Sequence, residues 1–210
     1  MSDHFVPRIY GMPDSGNCYK PCLLMDLTGR RYEWRPVDAL AGETRSPAFL
    51  AKNPAGRVPV LEYAPGAFLA ESNAILWYLG QDSPLWPAGD ALRASVLAWM
   101  CFEQNSHEVW IATSRFRLLF AGARQDSEDI VSRRQPGMNA LALMEAHLRE
   151  HAWFGAPGVS LADIALFAYT HVADEGGFPL EGFPAIGAWL SRVEMLPGFR
   201  PMRRDDRLRR

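Results

Sequence analysis

Residues 53–62 read NPAGRVPVLE, and a proline lies just inside a segment that otherwise has the pattern of a strand. Alternating apolar residues in VPVLEY predict a strand, yet Pro59 stands between Val58 and Val60, where proline removes a ladder hydrogen bond. A bend at the Val58–Pro59 bond, for which a cis peptide is one solution, turns the N–H and C=O of Val58 outward. Such free backbone groups can pair with an extended peptide as if it were another strand. The segment therefore predicts a peptide-binding edge.

Ten residues further on, AESNAIL places Glu71 and Ser72 at the start of a helix. A helix N-terminus binds a carboxylate through its unpaired N–H groups, and the Ser72 hydroxyl adds a donor. The Glu71 carboxylate can accept an ammonium group. Together these groups fit the head of an α-amino acid.

Working outward, the first 82 residues change hydrophobic period repeatedly. Strand patterns in RIYGM, YEWRPV, VPVLEY and AFLAE are interrupted by helical patterns at 17–29 and 72–80. This order predicts a βαβ unit followed by a ββα unit, which makes residues 1–82 an α/β domain.

The stretch that follows is rich in turn residues and then becomes helical throughout. Residues 83–90 are assigned to a linker, and 91–210 to an all-helical domain whose helical patterns cover 91–120, 138–154, 160–177 and 184–196. In SLADIAL, Ser160 and Asp163 form an S-x-x-D capping box, so Asp163 is expected to hold its own helix. The fold class is therefore α/β followed by all-α.

Composition excludes several function classes. The 210 residues carry a formal net charge of −2, so a nucleic-acid partner is not expected. The basic tail RRDDRLRR (203–210) is interpreted as a solvated terminus. No apolar run is long enough to span a membrane, the N-terminus lacks the apolar core of a secretion signal, and three cysteines do not form a disulfide framework. A cytoplasmic location is the simplest interpretation.

Two of the cysteines, Cys18 and Cys22, are spaced C-x-x-x-C. On a helix, positions i and i+4 have Cβ atoms about 5–6 Å apart, whereas a disulfide needs about 3.8 Å. We interpret the pair as small apolar fillers rather than a redox dithiol, with a lone reactive Cys18 as the alternative.

Four motifs in order, NPAGRVPVLE, AESNAILWYL, SLADIAL and FPAIGAWLSRVEMLPGF, resemble the glutathione transferase family over nearly the whole chain. The resemblance implies a thioredoxin-like N-terminal domain with a cis-proline, a helical C-terminal domain and a homodimer. It also implies glutathione as co-substrate, with an electrophile bound between the two domains.

Carried over by position, the resemblance assigns glutathione-binding roles to five residues. Val58 would pair with the cysteinyl unit, Pro59 would be the cis-proline, and Glu71 and Ser72 would hold the γ-glutamyl end. Arg57 could reach the glycyl carboxylate, and Thr44 and Arg45 are further candidates from the preceding loop.

The residue that activates the thiol is assigned from the segment SGNCYK, which resembles the serine-type pattern of theta- and zeta-like members. That pattern gives Ser15 as the donor to the thiolate, with Asn17 as co-donor or replacement. Cys18 and Tyr10 are the alternatives from other classes. Because a thiol of pKa about 8.5 is mostly protonated at neutral pH, a hydrogen bond plus a helix N-terminus is required to favour the thiolate.

In the helical half, the polar block EQNSHE (103–108) interrupts an apolar run. It is either a solvated part of the helix or a lining of the cleft or subunit interface, through Gln104, Asn105 or His107. His107 and Trp110 are taken as electrophile-pocket candidates. The aromatic residues Phe116 and Phe120 could extend the pocket or belong to the core. The i, i+4 pair His147 and His151 could bind zinc, but it lacks a third ligand, so no metal is expected.

The resulting hypothesis is a glutathione transferase that conjugates the glutathione thiolate to a small hydrophobic electrophile. The alternatives are a glutathione-dependent disulfide reductase or isomerase of the same fold, and a binding protein that has lost catalysis.

Overall fold

The computed structural model describes residues 5–205, which fall into two compact units. The first unit contains the residues up to Ser83 together with the segment that begins at Pro197, and the second contains Pro84–Leu196. The first boundary lies next to the predicted end of the α/β domain.

A mixed four-stranded sheet forms the centre of the first unit. The strands are β1 (Arg8–Gly11), β2 (Glu33–Pro36), β3 (Val60–Ala64) and β4 (Ala67–Ala70), in the spatial order β2-β1-β3-β4. Strands β1 and β2 are parallel, whereas β3 is antiparallel to both β1 and β4. A parallel pair needs a crossover connection, and the helix between β1 and β2 supplies it. The predicted βαβ and ββα units are therefore confirmed.

Three helices accompany this sheet: α1 (Gly16–Leu27), α2 (Pro47–Leu50) and α3 (Ser72–Gly80). The serines at 15 and 46 cap α1 and α2 by accepting hydrogen bonds from the N–H groups three residues on. Pro21 lies inside α1 as its sixth residue, where it lacks the N–H that would otherwise bond to the Asn17 carbonyl. The turn between β1 and α1 is closely packed, since a Cβ on Gly11 would lie 2.6 Å from the Trp34 ring.

The segment after Pro197 packs on the first unit, which the sequence did not predict. The buried Asp14 carboxylate accepts a hydrogen bond from the Asp205 N–H at 2.7 Å, and the Asp14 N–H donates to the Arg203 carbonyl at 2.8 Å. The Arg203 guanidinium lies 4.9 Å from the centre of the Trp34 ring. Residues 197–205 therefore group with the first unit, which differs from the predicted extent of the helical domain (91–210), while the side chains of Arg203 and Arg204 in the predicted solvated tail remain exposed. Residues 206–210 lie outside the described residues.

The second unit is helical. Its helices are α4 (Asp90–Phe102), α5 (Val109–Leu119), α6 (Glu128–Glu150), α7 (Leu161–Thr170) and α8 (Pro184–Glu194). A π-helical segment, Glu103–Glu108, joins α4 to α5 without a break, and it coincides with the polar block of the sequence. The predicted all-helical class is confirmed.

The capping box at α7 organises the core of this unit. The Asp163 carboxylate accepts hydrogen bonds from the N–H groups of Phe154 and Ser160 and from the Trp189 indole, at 3.1, 2.8 and 2.9 Å. Burial raises the pKa of Asp163 to about 7. Asp163 therefore ties three separate parts of the chain to one helix start, as the predicted structural role requires.

Among residues 5–205, no helix is long and apolar enough to cross a membrane.

Candidate functional site

Ser15 stands at the mouth of α1. Its Oγ accepts a hydrogen bond from the Cys18 N–H at 3.3 Å, which fixes the side chain at the N-cap. A serine hydroxyl retains its own hydrogen when it accepts, so Ser15 can still donate to an anion. The Ser15 side chain is partly exposed, as a ligand contact requires.

The second element is the edge that precedes β3. The Val58–Pro59 peptide bond is cis. The loop before it is held by the buried side chain of Asn53, which donates to the Arg57 carbonyl at 2.8 Å and accepts from the Ala55 N–H at 3.1 Å. Within residues 5–205, neither the N–H nor the C=O of Val58 forms a hydrogen bond. The backbone there is available to an extended peptide.

The third element is the start of α3, where Glu71 has an unusual backbone. Glu71 occupies the N-cap with φ 69° and ψ 113°, and no side chain caps this helix. Positive φ in a residue other than glycine costs about 1–3 kcal/mol, and such strain clusters at functional sites. The Glu71 side chain is exposed, whereas Ser72 is buried at the first helical position.

Hydrogen bonds join the N-terminal ends of α1 and α3. The Ser72 hydroxyl donates to Asn17 Oδ1 at 3.1 Å, and the Nζ of Lys20 donates to Ser72 Oγ at 3.3 Å. Lys20 lies on the inner side of α1 with no exposed surface. The structure thus brings the predicted residues Asn17 and Ser72 together, with a lysine that the sequence interpretation did not assign to the site.

The basic candidates for a glycyl carboxylate lie near the same loop. The side chains of Arg45 and Arg57 are exposed, and Arg45 donates to the Ala55 carbonyl at 3.3 Å. Thr44 is buried, with 6% of its surface accessible, which favours the two arginines over it.

The cysteine alternative is not supported. Cys18 and Cys22 are free thiols, each with 1% of its surface accessible. Burial raises the pKa of Cys18 to about 11 and that of Cys22 to about 12. Because the thiolate is the reactive form, burial and the raised pKa both disfavour a nucleophilic role for these thiols at neutral pH.

The tyrosine alternative is engaged elsewhere. The Tyr10 hydroxyl donates to the Glu62 carboxylate at 3.0 Å, and Arg8 donates to the same carboxylate. Burial raises the pKa of Tyr10. Its hydroxyl hydrogen is therefore used within the sheet, which leaves Ser15 as the better-placed hydroxyl.

The two electrophile-pocket candidates differ in exposure. His107 is fully buried inside the second unit and hydrogen-bonds Thr170 through Nε2 at 2.9 Å, so its assignment as a pocket residue is not supported. Trp110, Gln104 and Asn105 keep exposed surface, as does Phe116 at 46%, whereas Phe120 is buried. The block EQNSHE thus contains both a buried polar residue, His107, and polar residues with exposed surface, Gln104 and Asn105.

The histidine pair His147 and His151 lies at the C-terminal end of α6. The rings of His147 and His151 lie with their centres 4.5 Å apart, and His147 Nε2 is 3.1 Å from the Trp153 carbonyl. Across residues 5–205, no group of three or more histidine, cysteine or acidic side chains could hold a metal ion.

Comparison with known proteins decides the family. The family model "Glutathione S-transferase, N-terminal domain" matches residues 9–87, and "Glutathione S-transferase, C-terminal domain" matches residues 98–197. The chain belongs to the glutathione S-transferase family.

Individual members of the family agree over nearly full length. The crystal structure of a glutathione S-transferase from Pseudomonas fluorescens is 46% identical with a TM-score of 0.91, and the alignment covers 94% of this chain and 98% of that one. Glutathione S-transferase D7 of Anopheles gambiae is 29% identical over 90% of this chain and 86% of its own length. Maleylacetoacetate isomerase of Pseudomonas aeruginosa is 28% identical over 92% and 93%. The chain is thus a transferase of this family.

Proposed function

We propose that this glutathione transferase conjugates the thiolate of glutathione to a small hydrophobic electrophile, as a serine-type enzyme in which Ser15 stabilises the thiolate. The observation that carries the proposal is the hydrogen-bonded contact between the N-termini of α1 and α3, with Ser15 at the first and Glu71 and Ser72 at the second. Both lie in the first unit, beside an edge whose Val58 backbone is unpaired among residues 5–205.

Glutathione would bind along this edge as an added strand. The Val58 N–H and C=O would pair with its cysteinyl unit, and Pro59 would shape the edge. The γ-glutamyl carboxylate would bind at the α3 N-terminus and Ser72, and the γ-glutamyl ammonium would pair with Glu71. Arg57, together with Arg45, would attract the glycyl carboxylate.

Energetics favour a hydroxyl donor for the thiol. To lower a thiol pKa by about 2 units requires about 2.7 kcal/mol of preferential stabilisation of the thiolate. A helix N-terminus supplies about 0.3–1 kcal/mol, and a hydrogen bond to a charged group about 1.5–3 kcal/mol. Ser15 at the mouth of α1 combines both effects, and Asn17 is the second donor candidate at the same mouth.

The proposal is tested with a substrate panel. Wild-type protein and Ser15→Ala would be assayed with glutathione and aryl halides, epoxides, enals and small disulfides. Conjugation of one electrophile class by the wild type, with a strong loss in Ser15→Ala, supports it. Activity on disulfides alone, lost on Asn17→Ala but not on Ser15→Ala, would identify a disulfide reductase instead. Absence of glutathione binding would identify a non-catalytic member.

A second candidate function is glutathione-dependent isomerisation. It is favoured by the near-full-length similarity to the Pseudomonas aeruginosa protein named maleylacetoacetate isomerase. An isomerase regenerates glutathione, so its assay would show substrate conversion without glutathione consumption. A conjugating enzyme would consume one glutathione per product.

The strained backbone at Glu71 leads to a prediction in which stability and binding change in opposite directions. Glu71→Gly relieves the positive φ, which costs about 1–3 kcal/mol, but introduces the entropy cost of glycine, about 0.5–1 kcal/mol. We expect the free energy of unfolding to rise by about 1 kcal/mol in urea titrations. Glutathione affinity should fall about tenfold because the partner of the ammonium is lost.

Glu71→Ala is the matched control, because it removes the carboxylate and keeps the strain. It should lose affinity like Glu71→Gly without the gain in stability. Unchanged affinity in both variants would contradict the role of Glu71.

A homodimer is also part of the proposal, and the first unit offers a surface for it. Tyr63, Trp77 and Tyr78 are 38%, 44% and 36% exposed, and the two tyrosine rings lie with centres 5.0 Å apart. Aromatic residues are enriched at interface cores. We expect Trp77→Glu to shift the protein from dimer to monomer in analytical ultracentrifugation, because a charge would be buried unpaired.

Met195→Glu is the control for this substitution, since Met195 is 75% exposed in the second unit. This variant should remain a dimer. A wild-type monomer, or a Trp77→Glu dimer of unchanged affinity, would contradict the proposed interface.

The reaction as proposed uses no metal and takes place in the cytoplasm, where glutathione and free thiols stay reduced.

A further inference from the structure

The turn between β1 and α1 contains an aspartate where glycine or asparagine is usual. The Ser15 N–H donates to the Met12 carbonyl at 3.4 Å, which closes a turn with Pro13 at its second position and Asp14 at its third. Asp14 has φ 66°. A turn with proline at the second position and positive φ at the third usually has glycine or asparagine there. The side chain of Asp14 is therefore expected to have a use that glycine could not supply.

Asp14 is bound by the C-terminal segment. Its carboxylate accepts from the Asp205 N–H at 2.7 Å and from Arg204 at 3.4 Å, and its own N–H donates to the Arg203 carbonyl at 2.8 Å. The bonds to the Asp205 and Arg203 backbone lie in the usual range of about 2.7–3.2 Å, whereas the bond that closes the turn is longer. Asp14 is 1% exposed, so these bonds are shielded from water. A glycine could form the turn but would lose the acceptor.

The C-terminal segment is itself anchored to the first unit away from this turn. The Tyr19 hydroxyl donates to the Arg200 carbonyl at 2.6 Å. The Arg203 guanidinium donates to the Tyr32 hydroxyl at 3.2 Å and lies 4.9 Å from the centre of the Trp34 ring. The segment therefore presents its backbone groups to the turn from an anchored position.

We infer that Asp14 is a positioning residue for Ser15: bound to the backbone of residues 203–205, it holds the turn in the conformation that places the Ser15 hydroxyl at the start of α1. This inference rests on the proposed role of Ser15. Asp14 directly precedes Ser15, so its backbone sets the path by which the chain enters the helix. Asp14 acts through Ser15 and is not itself a ligand of glutathione.

The position of the Ser15 oxygen matters because hydrogen bonds weaken steeply with poor geometry. The Cys18 N–H, which donates to Ser15 Oγ at 3.3 Å, restrains the side chain but not the turn before it. A turn released from the C-terminal segment would therefore weaken the bond from Ser15 to the thiolate and raise the thiol pKa. The binding edge at Val58 and the start of α3 would be unaffected.

The test removes the contact at its far end, so that neither Asp14 nor Ser15 is altered. Asp205→Pro deletes the N–H from which the Asp14 carboxylate accepts. We expect the pKa of the bound glutathione thiol, followed by ultraviolet absorbance, to rise by about 0.5–1 unit. At pH values below the wild-type pKa of this thiol, kcat/KM should fall about three- to tenfold. Kd for S-methylglutathione, which has no thiol, should change by less than about twofold.

Asp205→Ala is the matched control, because it keeps the backbone N–H, and it should retain the wild-type thiol pKa. Asp14→Gly keeps the turn and lacks the acceptor, so it should raise the thiol pKa as Asp205→Pro does. Asp14→Asn keeps both an acceptor and a residue that tolerates positive φ, and it should restore most of the wild-type value.

A double variant separates positioning from a general loss of structure. Asp205→Pro combined with Ser15→Ala should have the thiol pKa of Ser15→Ala alone, because the oxygen that is positioned is absent. An unchanged thiol pKa in Asp205→Pro, a further rise in the double variant, or weakened S-methylglutathione binding that accounts for the lost rate would overturn the inference and leave the proposed function intact. A wild-type thiol pKa in Ser15→Ala itself would overturn both.

Discussion

Replacement of Ser15 by alanine should raise the pKa of the bound glutathione thiol by about 1–2 units. At pH values below the wild-type pKa of this thiol, kcat/KM should fall about 10- to 100-fold. The expectation follows from the hydrogen bond that Ser15 can donate to the thiolate, which is worth about 1.5–3 kcal/mol. Loss of this hydrogen bond lowers the fraction of thiolate, and the rate falls by a factor of ten for each 1.4 kcal/mol lost. The thiolate is followed by its ultraviolet absorbance in the binary complex over pH, and the rate by the best electrophile of the panel.

Two further variants separate catalysis from helix capping. Ser46 caps α2 as Ser15 caps α1, accepting from the Phe49 N–H at 3.2 Å. Ser46→Ala should therefore lose a similar amount of stability and retain the thiol pKa. Ser15→Thr keeps the hydroxyl and should retain most of the activity. A thiol pKa in Ser15→Ala equal to that of the wild type would exclude Ser15 as the donor, and Asn17→Ala would be the next variant.

Asp163→Ala should lower the free energy of unfolding by about 3–5 kcal/mol at pH 5.5, the largest expected effect on stability. Three buried donors, the N–H groups of Phe154 and Ser160 and the Trp189 indole, would lose their acceptor. Each unsatisfied buried donor costs about 1–3 kcal/mol, and loss of the α7 cap contributes as well. Chemical denaturation monitored by tryptophan fluorescence gives the difference.

The size of this loss should depend on pH in a defined direction. The pKa of Asp163 is raised to about 7 by burial, from 3.8. The folded protein therefore binds the proton more tightly, and the stability that Asp163 contributes is greatest below about pH 4 and decreases as pH rises through 7. The loss in Asp163→Ala should accordingly be smaller at pH 8 than at pH 5.5.

Asp90→Ala is the matched control, since Asp90 also stands in the first turn of a helix but its side chain is fully exposed. This variant should change stability by less than about 1 kcal/mol. A loss below 1 kcal/mol in Asp163→Ala at pH 5.5, or a loss that grows with pH, would contradict the role given to the buried carboxyl.

Most of the first unit could be predicted because its patterns are local. The strand at VPVLEY and the helix at SNAILWYLG correspond to β3 and α3, since alternation and capping residues act over a few positions. The short helix α2 was not predicted, because four residues are too few to show a period. The contact of residues 203–205 with Asp14 was missed since it joins positions about 190 apart in sequence.

In the second unit, local patterns were less informative. The helix α6 begins at Glu128, ten residues before its apolar pattern becomes clear, and it includes Pro136. In α4, Leu92 is 38% exposed although it belongs to the same apolar pattern as the buried residues Val96 and Met100. His107, one of the two pocket candidates, lies in the interior within the π-helical segment Glu103–Glu108, and an irregular helix of this kind is not visible in a polar run of sequence.

In the candidate site too, features set by local sequence could be predicted and features set by tertiary packing could not. The positions of Glu71, Ser72 and Val58 in the fold could be predicted, since a helix start and a proline inside a strand pattern are visible in sequence, while their roles in binding remain proposals. Lys20 and Asn53 could not be assigned, because burial depends on tertiary packing and both residue types are usually exposed. A lysine within the apolar run of α1 was the available signal.

The distance between the glutathione sulfur and Ser15 Oγ, in a crystal structure of the glutathione complex, tests the central claim most directly. We predict a separation of about 3.0–3.5 Å, in the range of a hydrogen bond to sulfur, with the Val58 N–H and C=O paired to the cysteinyl backbone. A sulfur more than about 5 Å from Ser15 Oγ, or a Val58 edge that does not bind the peptide, would contradict the account.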